Sequence, residues 1–173
     1  SGRQSGRGGR PSLPSSRFQT YDGNVLRMSY PDNWRAYGSG DAVTFAPEGG
    51  IVDDGRGNQS LAYGVMVNIF EPHADRAEGA TVEDATDQLI GEMRRSNPGM
   101  RITRQHERVR IGGERALSTF LTNDSSLGGR ENVWLITALR PDGLVYIVCV
   151  APERDYDDYD RAFQIMLNSV RFP

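Results

Sequence analysis

Residues 101–150 read RITRQHERVR IGGERALSTF LTNDSSLGGR ENVWLITALR PDGLVYIVCV, and the turn signals within this stretch decide the fold. Gly112-Gly113 has the backbone freedom that a two-residue hairpin turn demands. Pro141-Asp142-Gly143 is a second turn signal, since proline presets φ and glycine accepts conformations closed to other residues. Strands are expected at 101–106, 107–111, 114–122, 132–139 and 144–150, where apolar residues alternate or run together. Short turns make neighbouring strands antiparallel, because a parallel partner needs a crossover of about a dozen residues or more.

The same pattern extends upstream. Val25-Leu26-Arg27-Met28-Ser29-Tyr30 is a strand signal closed by Pro31-Asp32-Asn33. Residues 42–47 alternate through Val43 and Phe45, and 63–70 is the most apolar run of this half, fit for a central strand. Residues 48–60 are rich in glycine and read as a mobile loop. Thr81 then opens a helix as N-cap, with Asp84 at the third helical position. Val82, Ala85, Leu89, Ile90 and Met93 share one face, and Asn97-Pro98-Gly99 ends it. Asp155 is expected to cap a last helix whose apolar face is Tyr159, Ala162, Phe163, Met166, Leu167 and Val170. Strands, helix, hairpins and helix in that order describe an α+β domain: a central antiparallel β-sheet with helices packed on it.

Composition removes much catalytic apparatus. All 20 basic residues are Arg, so no P-loop lysine, Schiff-base lysine or kinase strand lysine exists here. Two His exclude a three-His zinc site, their positions at 73 and 106 exclude an H-E-x-x-H helix, and one Cys excludes a disulfide or a C-x-x-C pair within the chain. Residues 1–17 carry Arg3, Arg7, Arg10 and Arg17 without an acid and read as a disordered Gly/Ser/Arg linker, with one folded domain over 18–173. That domain holds 16 Arg against 23 Asp and Glu, which argues against nucleic acid as a partner. No apolar run reaches the roughly 18 residues of a transmembrane segment.

Candidate sites follow from residue type. His73 and His106 each have a carboxylate neighbour, but residues 33 apart share no helix face, so no metal site is assigned. Asp155, Asp157, Asp158 and Asp160 suit a calcium ion or, more simply, a helix dipole. Asp53-Asp54-Gly55 lacks the alternating ligand order of a calcium loop. Cys149 sits mid-strand and reads as a small core residue. Arg108 and Arg110 should share the face opposite Val109 and Ile111, where an acidic partner segment can bind. A solvated face near Glu107 and Glu114 accounts for them equally well. Residues 123–131, with Asp124 and Arg130, form a polar connection longer than a hairpin needs and are a recognition candidate. Trp34 and Tyr37 either pack in the core or line a pocket.

Several stretches carry a resemblance. Tyr30-Pro31-Asp32-Asn33-Trp34, Gly64-Val65-Met66-Val67-Asn68, the capped helix, Val109-Arg110-Ile111-Gly112-Gly113 and Ala116 resemble PsbP-like domains. Trp134, Gly143-Leu144-Val145-Tyr146, Ala151-Pro152 and residues 163–172 extend the likeness over almost all of 18–173. The resemblance implies an α/β/α sandwich. Glu83-Asp84-Ala85-Thr86-Asp87-Gln88-Leu89-Ile90 and Ala151-Pro152-Glu153-Arg154-Asp155 are similar to the domain found behind bacterial family M48 zinc metallopeptidases. That implies a non-catalytic, protein-binding accessory domain without a cofactor, in a bacterial extracytoplasmic or membrane-associated setting. Its partner would be the tethered peptidase domain or that domain's substrate. Two alternatives stand beside it: a small-ligand or lipid carrier with a pocket near Trp34 and Tyr37, and a hydrolase whose Asp, Glu, Ser and His meet only on folding.

Overall fold

The structure, a computed structural model, describes residues 10–38, 40–53, 57–73 and 80–173. Its elements are β1 (Phe18–Asp22), β2 (Arg27–Pro31), β3 (Arg35–Tyr37), β4 (Val43–Ala46), β5 (Ile51–Asp53), β6 (Gln59–Leu61), β7 (Gly64–Phe70) and α1 (Val82–Ser96). β8 (Arg101–Ile111), β9 (Glu114–Asp124), β10 (Arg130–Arg140), β11 (Gly143–Pro152) and α2 (Tyr156–Asn168) complete the chain. Seven strands form one antiparallel sheet in the order β3-β4-β7-β11-β10-β9-β8. The hairpins β1-β2 and β5-β6 lie outside it.

Alternation along β11 shows how the layers arise. Val145, Ile147, Cys149 and Ala151 enter one core, while Leu144, Val148 and Val150 enter the other. A strand covered on both faces must be apolar at nearly every position, which is why 144–150 reads as an unbroken run. α1 closes one face with Ala85, Leu89 and Ile90, and α2 closes the opposite face with Tyr159, Phe163, Met166 and Leu167. The result is an α+β sandwich with helices on both faces of an antiparallel sheet. No helix among the described residues is long and apolar enough to cross a membrane.

Local chemistry explains most boundaries. Thr81 accepts the Asp84 amide in its side chain at 3.1 Å, the expected cap. Gly112 and Gly113 have φ of 59° and 82°, the left-handed pair that a tight hairpin needs. Elsewhere the structure departs from expectation. Residues 101–111 form one strand, not two, kinked by register shifts between Ile102 and Glu107. The supposed loop at 48–60 contains the β5-β6 hairpin, with 54–56 outside the described residues. Residues 18–22, given no element by periodicity, pair with β2. Asp155 precedes α2 but makes no side-chain capping bond, because its carboxylate is engaged elsewhere.

The linker expectation divides in two. Residues 1–9, with Arg3 and Arg7, lie outside the described residues. Residues 10–17 are tied to the domain: Asn33 donates to the Leu13 carbonyl at 2.9 Å and accepts from the Ser15 amide at 2.9 Å. Arg10 donates to Asp155 at 2.6 Å.

Candidate functional site

The sheet's open end and the start of α1 enclose a groove of about 690 Å³. β8 contributes Arg108 and Arg110, β9 contributes Arg115, and Thr81, Val82 and Glu83 form the helical wall. Pairing of Arg108 with Leu117 and of Arg110 with Arg115 sets all three guanidiniums on the α1 face, opposite Val109 and Ile111. Arg110 donates to the Gly113 carbonyl at 3.0 Å. Arg108 and Arg115 make no ion pair among the described residues. Glu114 does not neutralise them, because it binds Arg140 at 3.0 Å. Glu83 is the one acid in the groove wall among the described residues. The dipole of α1 adds partial positive charge beside it. Arg115 carried no sequence signal of its own; only the hairpin register brings it to Arg110.

The connection at 123–131 is shorter than expected. β9 runs on to Asp124 and β10 begins at Arg130, leaving 125–129 as the turn. Arg130 donates to Asp124 at 2.8 Å and to Thr122 at 2.7 Å, so the two candidates bind each other across the hairpin mouth. Gly99 lies against the Asp124 carboxylate, where a Cβ would collide with it. The pair is exposed, so Asp124→Ala should cost under about 1 kcal/mol in urea unfolding and leave the arginine groove unaffected.

Trp34 and Tyr37 lie in different surroundings. Trp34 is 2% exposed and packs against Tyr159 and Phe163, whereas Tyr37 is 40% exposed on edge strand β3. One ring belongs to the core and the other to the rim.

His106 falls between Asp87, 2.8 Å from Nε2, and Thr119, 2.7 Å from Nδ1. Carboxylate, imidazole and hydroxyl in a row evoke nucleophilic catalysis. Thr119 is 0% exposed, however, so no substrate carbon reaches its oxygen. The row joins the bulged strand β8 to α1. The His73 backbone is bound by Gln88, which accepts its amide at 2.7 Å. No cluster of three potential metal ligands occurs among the described residues. Of the aspartates near α2, Asp160 accepts from Gln164 at 2.7 Å while Asp155 is buried. Cys149 is fully buried, and burial pushes its thiol upward.

Two buried polar interactions, Tyr63 with Asp155 and Asn123 with Glu131, were invisible to sequence reading. Tyr63 donates to Asp155 at 2.7 Å beneath Arg10. Burial raises the Tyr63 phenol, and the hydrogen bond to Asp155 raises it further. Burial alone would raise Asp155, but the bonds from Tyr63 and Arg10 and the charges of Arg10 and Arg154 hold it below its ordinary value. Glu131 is 8% exposed and accepts from Asn123 at 3.3 Å. Burial pushes its carboxyl up to about 7, against smaller lowering by Asn123 and Arg130.

No family model and no curated protein sequence matches the chain. Solved structures do. Cyanobacterial PsbP from Synechocystis superposes with a TM-score of 0.63 at 13% identity, covering 96% of this chain and 98% of that one. The fold is PsbP-like. LpqN of Mycobacterium tuberculosis, involved in cell envelope biogenesis, gives a TM-score of 0.53 at 12% identity over 91% of each chain. A Pseudomonas aeruginosa protein of unknown function gives 0.50 at 13% identity, covering 86% of this chain and 92% of that one. At these identities the likeness speaks for the PsbP-like sandwich alone.

Proposed function

We propose that this PsbP-like domain is a non-catalytic accessory module that binds an acidic segment of another protein in the groove between β8, β9 and α1. The convergence of Arg108, Arg110 and Arg115 on one groove carries the reading, in a domain whose charges otherwise lean acidic. Guanidiniums of like sign repel until carboxylates arrive, and their forked donors match carboxylate geometry. We also propose, on the sequence similarity to domains behind M48 zinc metallopeptidases, that the module works tethered to such a domain in a bacterial extracytoplasmic or membrane-associated protein. A zinc-protease motif in the reading frame upstream of Ser1 is the corresponding check.

The groove is tested with R108E/R115E. An exposed charge pair is worth about 0.5 kcal/mol, and reversing a charge replaces attraction with repulsion. Two reversals should therefore weaken a glutamate-rich peptide at least about tenfold in fluorescence anisotropy, with Tm unchanged. Added salt should weaken wild-type binding as well. Equal affinity in the reversed variant would place the site elsewhere.

A further inference from the structure

β8 ends the seven-stranded sheet and pairs only with β9, so its outer row of backbone groups has no strand partner among the described residues. Register shifts interrupt its first half, but Glu107 to Ile111 pair regularly with Ser118 to Glu114. The same short run borders two grooves on opposite faces. On the α1 face Arg108 and Arg110 wall the basic groove. On the α2 face Val109 and Ile111 border a groove of about 220 Å³ with Trp134 and Leu167. Trp134 is firmly set there: it stacks on Phe120 at 5.4 Å and donates from Nε1 to Ser118 at 2.8 Å.

We infer that the partner docks as an added strand along Glu107–Ile111, an extended segment of alternating acidic and apolar residues. This rests on the proposed groove reading. Successive side chains of a strand point to opposite faces. A segment on this edge would therefore send every second side chain to the arginines and the intervening ones toward Val109, Ile111 and Trp134. Main-chain hydrogen bonds supply affinity in such docking, and the two grooves supply the sequence preference. Charge also selects the occupant. Edge strands are commonly guarded by charges. Here Arg101, Arg104, Arg108 and Arg110 outnumber Glu107, so a second copy of β8 would meet repulsion while an acidic strand would meet attraction.

The probe is a short fluorescein-labelled peptide of alternating Glu and Val. Two controls accompany it: a peptide of the same composition with Glu and Val in separate blocks, and alternating peptides N-methylated at every second residue in either frame. Strand addition predicts that the block peptide, one N-methylated frame and the R108E/R115E variant each weaken binding at least about tenfold. It also predicts slowed hydrogen exchange of the β8 amides on binding. R108A/R115A serves if the reversed variant fails to fold. If order and N-methylation leave affinity unchanged while the arginine variants abolish it, strand addition is overturned and the groove reading stands. If no probe binds, or binding ignores the arginines, both fall. Dimerisation of the free protein through β8, seen by sedimentation with protected 107–111 amides, would overturn the acidic occupant in favour of a second copy.

Discussion

Trp34→Ala should lower Tm by about 10 °C, whereas Tyr37→Ala should change stability by no more than about 0.5 kcal/mol. The contrast follows from where the rings lie. Trp34 fills space between the β2-β3 turn and α2, with Tyr159 and Phe163 at centroid distances of 6.4 and 6.5 Å. Truncating a buried aromatic residue to alanine costs about 3–5 kcal/mol in lost burial and residual cavity. Tyr37 leaves nothing comparable behind. Trp34→Phe separates packing from polarity: Trp34 Nε1 is buried and finds no acceptor among the described residues. Phenylalanine keeps much of the ring and removes that unpaired donor, so it should cost under half of the alanine change. A ligand pocket at Trp34 would give the opposite result, with stability little affected by alanine. Thermal unfolding of the three variants decides it.

That outcome bears on how much was legible in the sequence. The antiparallel sheet was, because Gly112-Gly113 and Pro141-Asp142-Gly143 are local signals whose chemistry permits few alternatives. The first helix was too, since Thr81, Asp84 and the apolar face agree. Failures came where a residue's partner is distant in sequence. Asp155 suits a cap by its neighbours, yet Tyr63, 92 positions away, takes its carboxylate. His106 shares the α1 face with Arg108 and Arg110 by simple alternation, but its partners Asp87 and Thr119, 19 and 13 positions away, are set by the packing of α1 and the register of β9. Arg108 and Arg110 were readable as a basic face, but the groove needs Arg115 from the next strand and the start of α1. Asp124 and Arg130 stand out in sequence as charged residues of a polar connection, and the register joins them as a pair.

Glu131→Gln should abolish a pH dependence that the wild-type domain shows between pH 5 and 8. Glu131 sits on β10 opposite Asn123, with only the Asn123 amide donating to it among the described residues, and burial raises its carboxyl from an ordinary 4.5 to about 7. The folded state therefore holds a proton that the unfolded chain has already released between those values. Stability from this group is fully present below pH 4.5 and is lost as pH rises through 7. A shift of this size corresponds to about 3 kcal/mol, by the conversion of roughly 1.4 kcal/mol per unit. Glutamine keeps the shape and the oxygen that accepts from Asn123, but it carries no charge to bury. Urea unfolding at pH 5 should give nearly equal stabilities for the two proteins. At pH 8 the variant should be the more stable by about 2–3 kcal/mol. Parallel pH curves for the two would show that Glu131 ionises freely in the folded domain and that its surroundings admit water. The site also lies beside the Asp124–Arg130 pair and away from the arginine groove, so peptide affinity should not follow this titration. An affinity change with the same midpoint as the stability change would mean that the two ends of the sheet are energetically linked.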